Sequence, residues 1–129
     1  MDVTVQQLKE YVFTNNVDNL KIFLEQYINN GNDVDVQDNE GNTLLMFASK
    51  FSNTESSIDC VKLLLEYGAN PNLREKHGQT ALILAAQFSN RTSTEKTVEL
   101  LLQYGADPDS QDEERTAPGK HRFTVRPQH

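Results

Sequence analysis

The residue types that most often carry catalysis are sparse in this chain of 129 residues. Its three histidines are His77, His121 and His129, and its single cysteine is Cys60. A zinc site needs about four ligands at close, characteristic spacings, and these four residues are too scattered to supply them. The sequence also has no motif for a nucleophilic serine or a phosphate-binding loop. We therefore expect neither an enzyme active site nor a bound cofactor.

One acidic stretch resembles the beginning of a calcium-binding loop. Asp33, Asp35 and Asp38 stand at ligand-like intervals. A calcium loop also requires a glycine at its sharp turn and a glutamate at its last position. Gly41 and Glu40 fall in the wrong register for those two roles. We interpret the stretch as a solvated acidic turn and expect no metal there.

The net charge of −7 is unevenly distributed along the chain. Residues 1–40 contain eight acids against two lysines, whereas residues 113–129 contain four basic residues against two acids. Phosphate and anionic lipid both require a basic surface, so we expect neither nucleic acid nor a membrane as partner. No signal peptide or long apolar run is found, and a single cysteine cannot form an internal disulfide. These features predict a cytoplasmic protein, with the nucleus equally compatible.

The chain repeats itself with a period of 37 residues. Residues 38–74 align without a gap on residues 75–111, and many aligned positions are identical. The stretch FSNTESSIDCVKLLLEYGANPN, at 51–72, corresponds to FSNRTSTEKTVELLLQYGADPD, at 88–109. A fixed period of this size is typical of solenoids, whose stacked units each need a neighbour to bury their apolar face.

Each unit reads as a turn followed by two helices. Thr43 and Thr80 precede short apolar segments and are suited to cap the first helix of their unit. The second helices are predicted at about 56–67 and 93–104, with valine and leucine on one face. A glycine and then a proline follow each second helix, which is a common signal for a helix end.

This unit resembles the ankyrin repeat, whose signature is D-x-x-G-x-T-P-L-x-x-A-A followed by V-x-L-L-L-x-x-G-A-D-x-N. Residues 38–45 read DNEGNTLL, and residues 61–72 read VKLLLEYGANPN. The resemblance recurs and covers most of residues 5–112. It implies an all-α ankyrin-repeat solenoid of stacked helix-turn-helix units with hairpin loops.

The chain departs from the ankyrin pattern in two ways. Leu44 and Met46 replace the proline and histidine of the usual T-P-L-H start, as Ala81 and Ile83 do in the next unit. The resemblance therefore implies the loss of a Thr–His hydrogen bond, and we expect a looser hairpin. The period is also longer than the usual value of about 33 residues, and the extra residues fall between the two helices of a unit.

The ends of the solenoid are expected to be degenerate, as terminal repeats usually are. In the first repeat we predict helices at 5–13 and 17–27, followed by an insertion at 28–33. The predicted organisation is one ankyrin domain at 1–117, with repeats at about 5–37, 38–74 and 75–111, an aborted fourth repeat from 112, and a basic C-terminal tail at 118–129. Either the chain is cut from a longer ankyrin protein, or this tail folds back as an unusual cap.

The resemblance also implies where a partner protein binds, namely at the hairpin tips and on the exposed side of the first helices. The matching positions are Asn39, Glu40, Asn42, Lys50, Phe51, Arg74, Lys76, His77, Gln79, Gln87 and Phe88. Tyr67 and Tyr104, at the ends of the second helices, are expected near the same groove. For these two tyrosines, contact with a partner and packing against a neighbouring repeat are both open.

Two interpretations are also open for the paired phenylalanines and for the basic hairpin tip. Phe51 and Phe88 lie at equivalent positions and suit partner anchors, because interfaces are enriched in aromatic residues. Alternatively, each folds down and anchors the extra residues of its own repeat. Arg74, Lys76 and His77 form either a solvated turn or a contact for an acidic partner segment.

From these features we expect a protein–protein interaction module that acts as an adaptor or as an inhibitory or regulatory binder. The alternative is a structural fragment of a larger ankyrin-containing protein whose effector or catalytic domain is absent. We expect a monomer, unless the apolar face of the last repeat self-associates.

Overall fold

The described part of the chain consists of helices joined by turns and loops. A computed structural model describes residues 4–88 and 95–109, apart from the side chains of residues 55 and 56. These residues form six helices and no strand. The helices are α1 (Val5–Phe13), α2 (Val17–Asn29), α3 (Leu44–Lys50), α4 (Glu55–Glu66), α5 (Ala81–Gln87) and α6 (Glu95–Gln103).

The six helices form two layers. Each repeat contributes an adjacent pair, α1 with α2, α3 with α4 and α5 with α6. The first helices of the repeats (α1, α3 and α5) pack against one another in one layer, and the second helices (α2, α4 and α6) pack in the other. The predicted all-α solenoid of helix-turn-helix units is therefore confirmed for these residues.

Threonine caps begin four of the helices. Thr43 Oγ1 accepts a hydrogen bond of 3.2 Å from the backbone N–H of Met46, and Thr80 caps α5 in the same way. Met46 Sδ lies 3.4 Å from the backbone nitrogen of Thr43. It provides a weak acceptor at the position where the usual T-P-L-H start has a histidine. The other two caps are Thr4 and Thr54.

The helix α2 is longer than the sequence suggested, and this corrects the predicted insertion at 28–33. The helix continues to Asn29, and Gly31 follows it with a φ of +90°. Gly68, which lies 37 residues later, follows α4 with a φ of +92°. Both glycines take part in the Schellman pattern of backbone hydrogen bonds. The first repeat therefore ends in register with the second and contains no insertion.

The core repeats in the same register through all three repeats. Leu8, Leu45 and Leu82 stand 37 residues apart in the first helices, and none is more than 1% exposed. In the second helices the equivalent buried side chains are Tyr27, Leu64 and Leu101. A substitution such as Leu45→Ala would leave a cavity, which typically costs about 2–5 kcal/mol. The period thus extends into the first repeat, where these apolar positions and Gly31 preserve it.

The turns between repeats are joined by regularly spaced hydrogen bonds. Asp35 Oδ1 accepts a hydrogen bond of 2.8 Å from the backbone N–H of Asn70. One repeat later, Asn72 Oδ1 accepts a bond of the same length from the N–H of Asp107. Partial burial raises the pKa of Asp35, although this hydrogen bond opposes the shift. The Asp35 carboxylate is therefore a partly buried structural link between repeats, whereas Asp33 and Asp38 are exposed, as a solvated turn would have them.

The outer side of the first repeat carries an aromatic pair where the other repeats have small residues. The rings of Tyr11 and Phe23 stack with centroids 5.4 Å apart and an interplanar angle of 21°. The equivalent positions of the second repeat are Ala48 and Cys60, both buried. The stacked rings thus close a face that the internal repeats bury against their neighbours.

Several predictions about the C-terminal part of the chain lie outside the described residues. They include the aborted fourth repeat from 112, the tail at 118–129 and the extra residues that fall within 89–94, between α5 and α6. Within the described residues, Val98 and Leu101 of the last repeat are buried.

No helix within residues 4–88 and 95–109 is both long and apolar enough to cross a membrane.

Candidate functional site

The two described hairpin tips are closed by equivalent carboxylates. Asp38 Oδ1 accepts hydrogen bonds of 2.9 Å from the backbone N–H groups of Glu40 and Asn42. In the next repeat, Glu75 Oε1 accepts from the N–H groups two and four residues later, at 2.6 and 3.0 Å. Each carboxylate holds two backbone N–H groups of its tip. These bonds order the tips, although the chain lacks the histidines of the usual T-P-L-H start and a looser hairpin was expected.

Further hydrogen bonds join one tip to the next. Gln37 Nε2 donates to the carbonyl oxygens of Gly41 and Arg74, at 2.9 and 3.0 Å. The backbone N–H of Lys76 donates to the carbonyl of Glu40 at 2.8 Å. Arg74 Nη1 in turn donates to the carbonyl of its own tip at 2.8 Å. The tips therefore form a rigid edge along the solenoid.

The basic tip is engaged within the molecule. Lys76 Nζ forms an ion pair of 3.1 Å with Glu40 Oε2, and both side chains are about half exposed. An exposed pair of this kind stabilises a protein by about 0–1 kcal/mol, but it offsets the charge of Lys76. Together with the internal hydrogen bond of Arg74, this favours the interpretation of the tip as a solvated turn. His77 and Asn39 are exposed beside it.

Six side chains form a continuous line of contacts across the first helices, which we name the aromatic row. Lys9 Nζ lies 4.7 Å from the centroid of the Phe47 ring. Phe13 of α1 then meets two rings of the second repeat edge-on, Phe47 at 5.5 Å and Phe51 at 5.9 Å. The members of the row are Lys9, Phe13, Phe47, Phe51, Lys50 and Phe88.

The second lysine of the row connects the second and third repeats. Lys50 Nζ lies 5.4 Å from the centroid of Phe51 and 4.7 Å from that of Phe88. Both distances are within the range of a cation–π interaction. The aromatic row therefore crosses all three repeats and contains three of the predicted residues, Lys50, Phe51 and Phe88.

Exposure differs along the row. Phe13 is 50% exposed and Phe51 is 40% exposed, whereas Phe47 and Phe88 are half-buried against the core. Phe51 is therefore the more exposed ring of the predicted pair, and Phe88 packs partly against the core. Two adjacent exposed phenylalanine rings form an apolar patch, which is a more informative feature than a single exposed apolar residue.

Between the aromatic row and the hairpin tips lies a groove with a volume of about 480 Å³. Seven of the predicted residues line it, namely Glu40, Asn42, Lys50, Phe51, Lys76, His77 and Gln79. Gln79 Nε2 also donates to Gln87 Oε1 at 3.0 Å, so Gln87 stands next to the lining. Most of the residues predicted from the repeat pattern are thus brought to one surface.

Sequence reasoning missed Lys9, Phe13 and Phe47, which complete the aromatic row. A signal for them was present, because Lys9 and Phe13, like Phe47 and Phe51, are four residues apart. Residues at this spacing lie on the same face of a helix. Comparison of equivalent repeat positions concealed the signal, since Phe13 is equivalent to Lys50 and not to another phenylalanine.

The two tyrosines are not brought to the groove, which corrects their predicted position. The Tyr67 hydroxyl donates a hydrogen bond to Glu25 Oε1 of the preceding second helix. This hydrogen bond, with smaller contributions from burial and nearby carboxylates, raises the pKa of Tyr67 to about 12. Tyr67 therefore contacts the neighbouring repeat through its hydroxyl, whereas the interpretation of packing against that repeat had left the hydroxyl in water. Tyr104 is 40% exposed at the end of α6.

Among the described residues, neither the groove nor the helices behind it bring together a set of metal-ligating side chains. Within residues 4–88 and 95–109, no group of three or more His, Cys, Asp or Glu side chains is arranged to hold a metal.

Burial, helped by the charge of Asp59, raises the pKa of Cys60 to about 11. The thiol is consequently protonated at neutral pH, and the thiolate is the reactive form.

The fold and the groove define a helical repeat protein that presents a preformed surface. The family model described as ankyrin repeats (3 copies) matches residues 10–112. This match covers well over half of the chain, and the protein belongs to the ankyrin repeat family. Ankyrin repeats are generally protein–protein interaction modules and typically non-catalytic. No curated protein matches the chain.

Proposed function

We propose that this protein binds another protein in the groove between the hairpin tips and the aromatic row. In this role it acts as an adaptor, or as an inhibitory or regulatory binder that covers a working surface of its partner. The observation that carries the proposal is the edge-to-face contact of Phe13 and Phe51, two substantially exposed rings from different repeats.

The apolar patch of Phe13 and Phe51 costs free energy while it remains in contact with water. Burial of apolar surface is favourable by roughly 25 cal/mol per Å², and aromatic side chains are among the commonest anchors of interfaces. The surrounding groove is already fixed by hydrogen bonds within and between the hairpin tips. A partner therefore meets an ordered surface, and little conformational entropy is lost on binding.

The compartment that we propose is the cytoplasm, with the nucleus also compatible. A lone, buried cysteine suits a reducing environment, where structural disulfides are rare. The binding partner is expected in the same compartment.

The test is a quantitative pull-down with two matched double variants. Phe13→Ala/Phe51→Ala removes the exposed patch of the groove. Ile22→Ala/Tyr104→Ala removes two exposed apolar side chains of the second-helix layer, which are 52% and 40% exposed. Circular dichroism and urea unfolding establish that both variants are folded.

We expect the same protein to be captured by the wild type and by the second-helix variant. Capture by the Phe13→Ala/Phe51→Ala variant should fall at least about tenfold, which corresponds to 1.4 kcal/mol. Capture that is unchanged in the groove variant, or lost equally in both variants, would contradict a binding site in the groove. So would the absence of any captured protein.

A further inference from the structure

Charge is divided between the two layers of helices. The first helices carry two lysines, Lys9 and Lys50, against one acid, Glu10. The second helices carry seven acids against three lysines. The acids are Asp18, Glu25, Glu55, Asp59, Glu66, Glu95 and Glu99, and the lysines are Lys21, Lys62 and Lys96. The layer that faces the groove is therefore slightly basic, whereas the opposite layer is strongly acidic.

Both lysines of the first helices lie in the aromatic row. Lys9 Nζ is 4.7 Å from the ring centroid of Phe47, and Lys50 Nζ is 4.7 Å from that of Phe88. A phenylalanine ring attracts an ammonium group but does not neutralise its charge. The row thus combines an apolar surface with two positive charges, and a carboxylate placed there would form charge-assisted hydrogen bonds.

The acids near the groove are engaged in the hairpin tips. Glu40 is paired with Lys76, and the Glu75 carboxylate accepts two backbone N–H groups of its own tip. Both acids line the groove together with Phe13 and Phe51. Because their carboxylates are already held by a lysine and by backbone donors, they oppose an acidic segment less than unpaired carboxylates would.

A smaller pocket lies beside the two exposed rings. It has a volume of about 260 Å³ and is lined by Val12, Phe13, Asn15, Phe51 and Asn53. Two phenylalanines and a valine supply its apolar lining, and Asn15 and Asn53 supply its polar lining. Such a pocket can receive one large apolar side chain while the amides bond to the adjacent peptide backbone.

We propose that the segment bound in this groove and along the adjacent aromatic row is an extended acidic stretch of a partner protein with a large apolar side chain. Its carboxylates lie against Lys9 and Lys50, and its aromatic or aliphatic side chain packs on Phe13 and Phe51. This inference rests on the proposed function and names the chemistry of the partner. The acidic second-helix layer repels the same segment, which directs it to the groove.

Single-stranded nucleic acid also binds surfaces that combine rings with cations. Its affinity depends on the neutralisation of several phosphates by lysine or arginine. The two lysines of the row suit the few carboxylates of a protein segment better than a run of phosphates, which needs many cations. Nucleic acid is therefore included as a competing outcome of the experiment.

The experiment is fluorescence anisotropy with three labelled peptides of equal length and equal phenylalanine and leucine content. Their remaining positions are all glutamate, all glutamine or all lysine, and a labelled oligothymidylate is the fourth probe. The proteins are the wild type, the charge reversal Lys9→Glu/Lys50→Glu and the matched reversal Lys21→Glu/Lys62→Glu on the second helices. Both variants change the net charge equally, so that a difference between them reports on the groove.

We expect the wild type to bind the glutamate peptide at least about tenfold more tightly than the glutamine peptide, a difference of 1.4 kcal/mol. The Lys9→Glu/Lys50→Glu variant should lose this preference and favour the lysine peptide, whereas the second-helix variant should keep it. Equal binding of the glutamate and glutamine peptides would overturn the inference, as would a preference that survives Lys9→Glu/Lys50→Glu, or tighter binding of the oligothymidylate.

The failure of this inference is distinguishable from the failure of the proposed function. If none of the peptides binds, or none is preferred, while pull-down capture still depends on Phe13 and Phe51, the groove binds a protein but not an acidic segment. If capture is independent of Phe13 and Phe51, the groove itself is excluded.

Discussion

Phe51 and Phe88 stand 37 residues apart at equivalent positions of two repeats, yet their surroundings differ. Each ring lies within 5.4 Å of Lys50 Nζ, measured to the ring centroid. Phe51 is 40% exposed and also meets Phe13 edge-on, whereas Phe88 is half-buried against the core. Sequence equivalence therefore does not make the two rings equivalent in the folded protein.

This difference predicts unequal effects of truncation on stability. Phe51→Ala should lower the free energy of unfolding by less than about 1 kcal/mol, as is usual for surface changes. Phe88→Ala should lower the free energy of unfolding by about 1–3 kcal/mol. The larger loss is expected because the substitution deletes a ring that is half-buried against the core. Urea unfolding followed by circular dichroism measures both values. Equal losses would show that the two rings are buried to the same extent in solution.

Gly41 should be more sensitive to substitution than Gly31. Both have a positive φ, +83° and +90°, so an alanine costs about 1–2 kcal/mol of backbone strain at either site. A Cβ at Gly41 would also lie 3.0 Å from the Cα of Glu75 in the next hairpin, whereas a Cβ at Gly31 meets nothing within 4 Å. We expect Gly41→Ala to destabilise the protein by roughly 1 kcal/mol more than Gly31→Ala.

Urea unfolding of the two glycine variants, side by side, checks this prediction. Since the backbone strain is shared, the difference between the variants isolates the contact between adjacent hairpins. Equal losses of stability would mean that the hairpin of Glu75 yields without cost to a side chain at position 41.

The hydrogen bond from Tyr67 to Glu25 predicts a pH dependence of stability. The folded state raises the pKa of Tyr67 from 10.0 to about 12 and thus holds the phenolic proton more tightly than the unfolded chain does. The stability from this interaction is complete below pH 10 and is lost as the pH rises through about 12.

Ultraviolet absorbance titration of the tyrosines, with Tyr67→Phe to assign the signal, measures the pKa. We expect Glu25→Gln to lower the pKa of Tyr67 towards 10.0, since the acceptor loses its charge. In unfolding experiments, the stability of the wild type relative to Tyr67→Phe should decrease over the same pH range. A pKa of Tyr67 that does not respond to Glu25→Gln would refute the assignment of this partner.

Cys60 should be unreactive in the folded protein. It is 1% exposed, and burial with the nearby charge of Asp59 raises its pKa to about 11. Because the thiolate is the reactive form and cannot be reached by a reagent, modification by Ellman's reagent at neutral pH should require unfolding. The rate should therefore rise with urea in parallel with the loss of helicity. Rapid modification without urea would indicate local opening between the first two repeats.

Much of the fold could be predicted from the sequence, because its signals are local or periodic. Thr43 and Thr80 mark helix starts through a hydrogen bond to a residue three positions away. Gly68 marks a helix end through its own backbone conformation. The end of α2 was predicted wrongly because Gly31 is followed by polar residues that conceal its equivalence to Gly68.

The candidate site was predictable only in part. The hairpin residues Glu40, Lys76 and Gln79 follow from the repeat pattern, since each is fixed to a turn of defined register. The contacts of Phe13 with Phe47 and Phe51 join positions that are not equivalent between repeats. Alignment of the repeats compares equivalent positions and therefore could not reveal them.

The sequence by itself determined the period of 37 residues, the order of the helices and the two threonines, Thr43 and Thr80, that cap α3 and α5, because each depends on neighbours along the chain. Only the tertiary structure decided that Tyr67 contacts Glu25 in the second-helix layer and that Lys9 and Lys50 share one row of rings. These relationships depend on how side chains of adjacent helices interdigitate, and that packing is set by the whole stack.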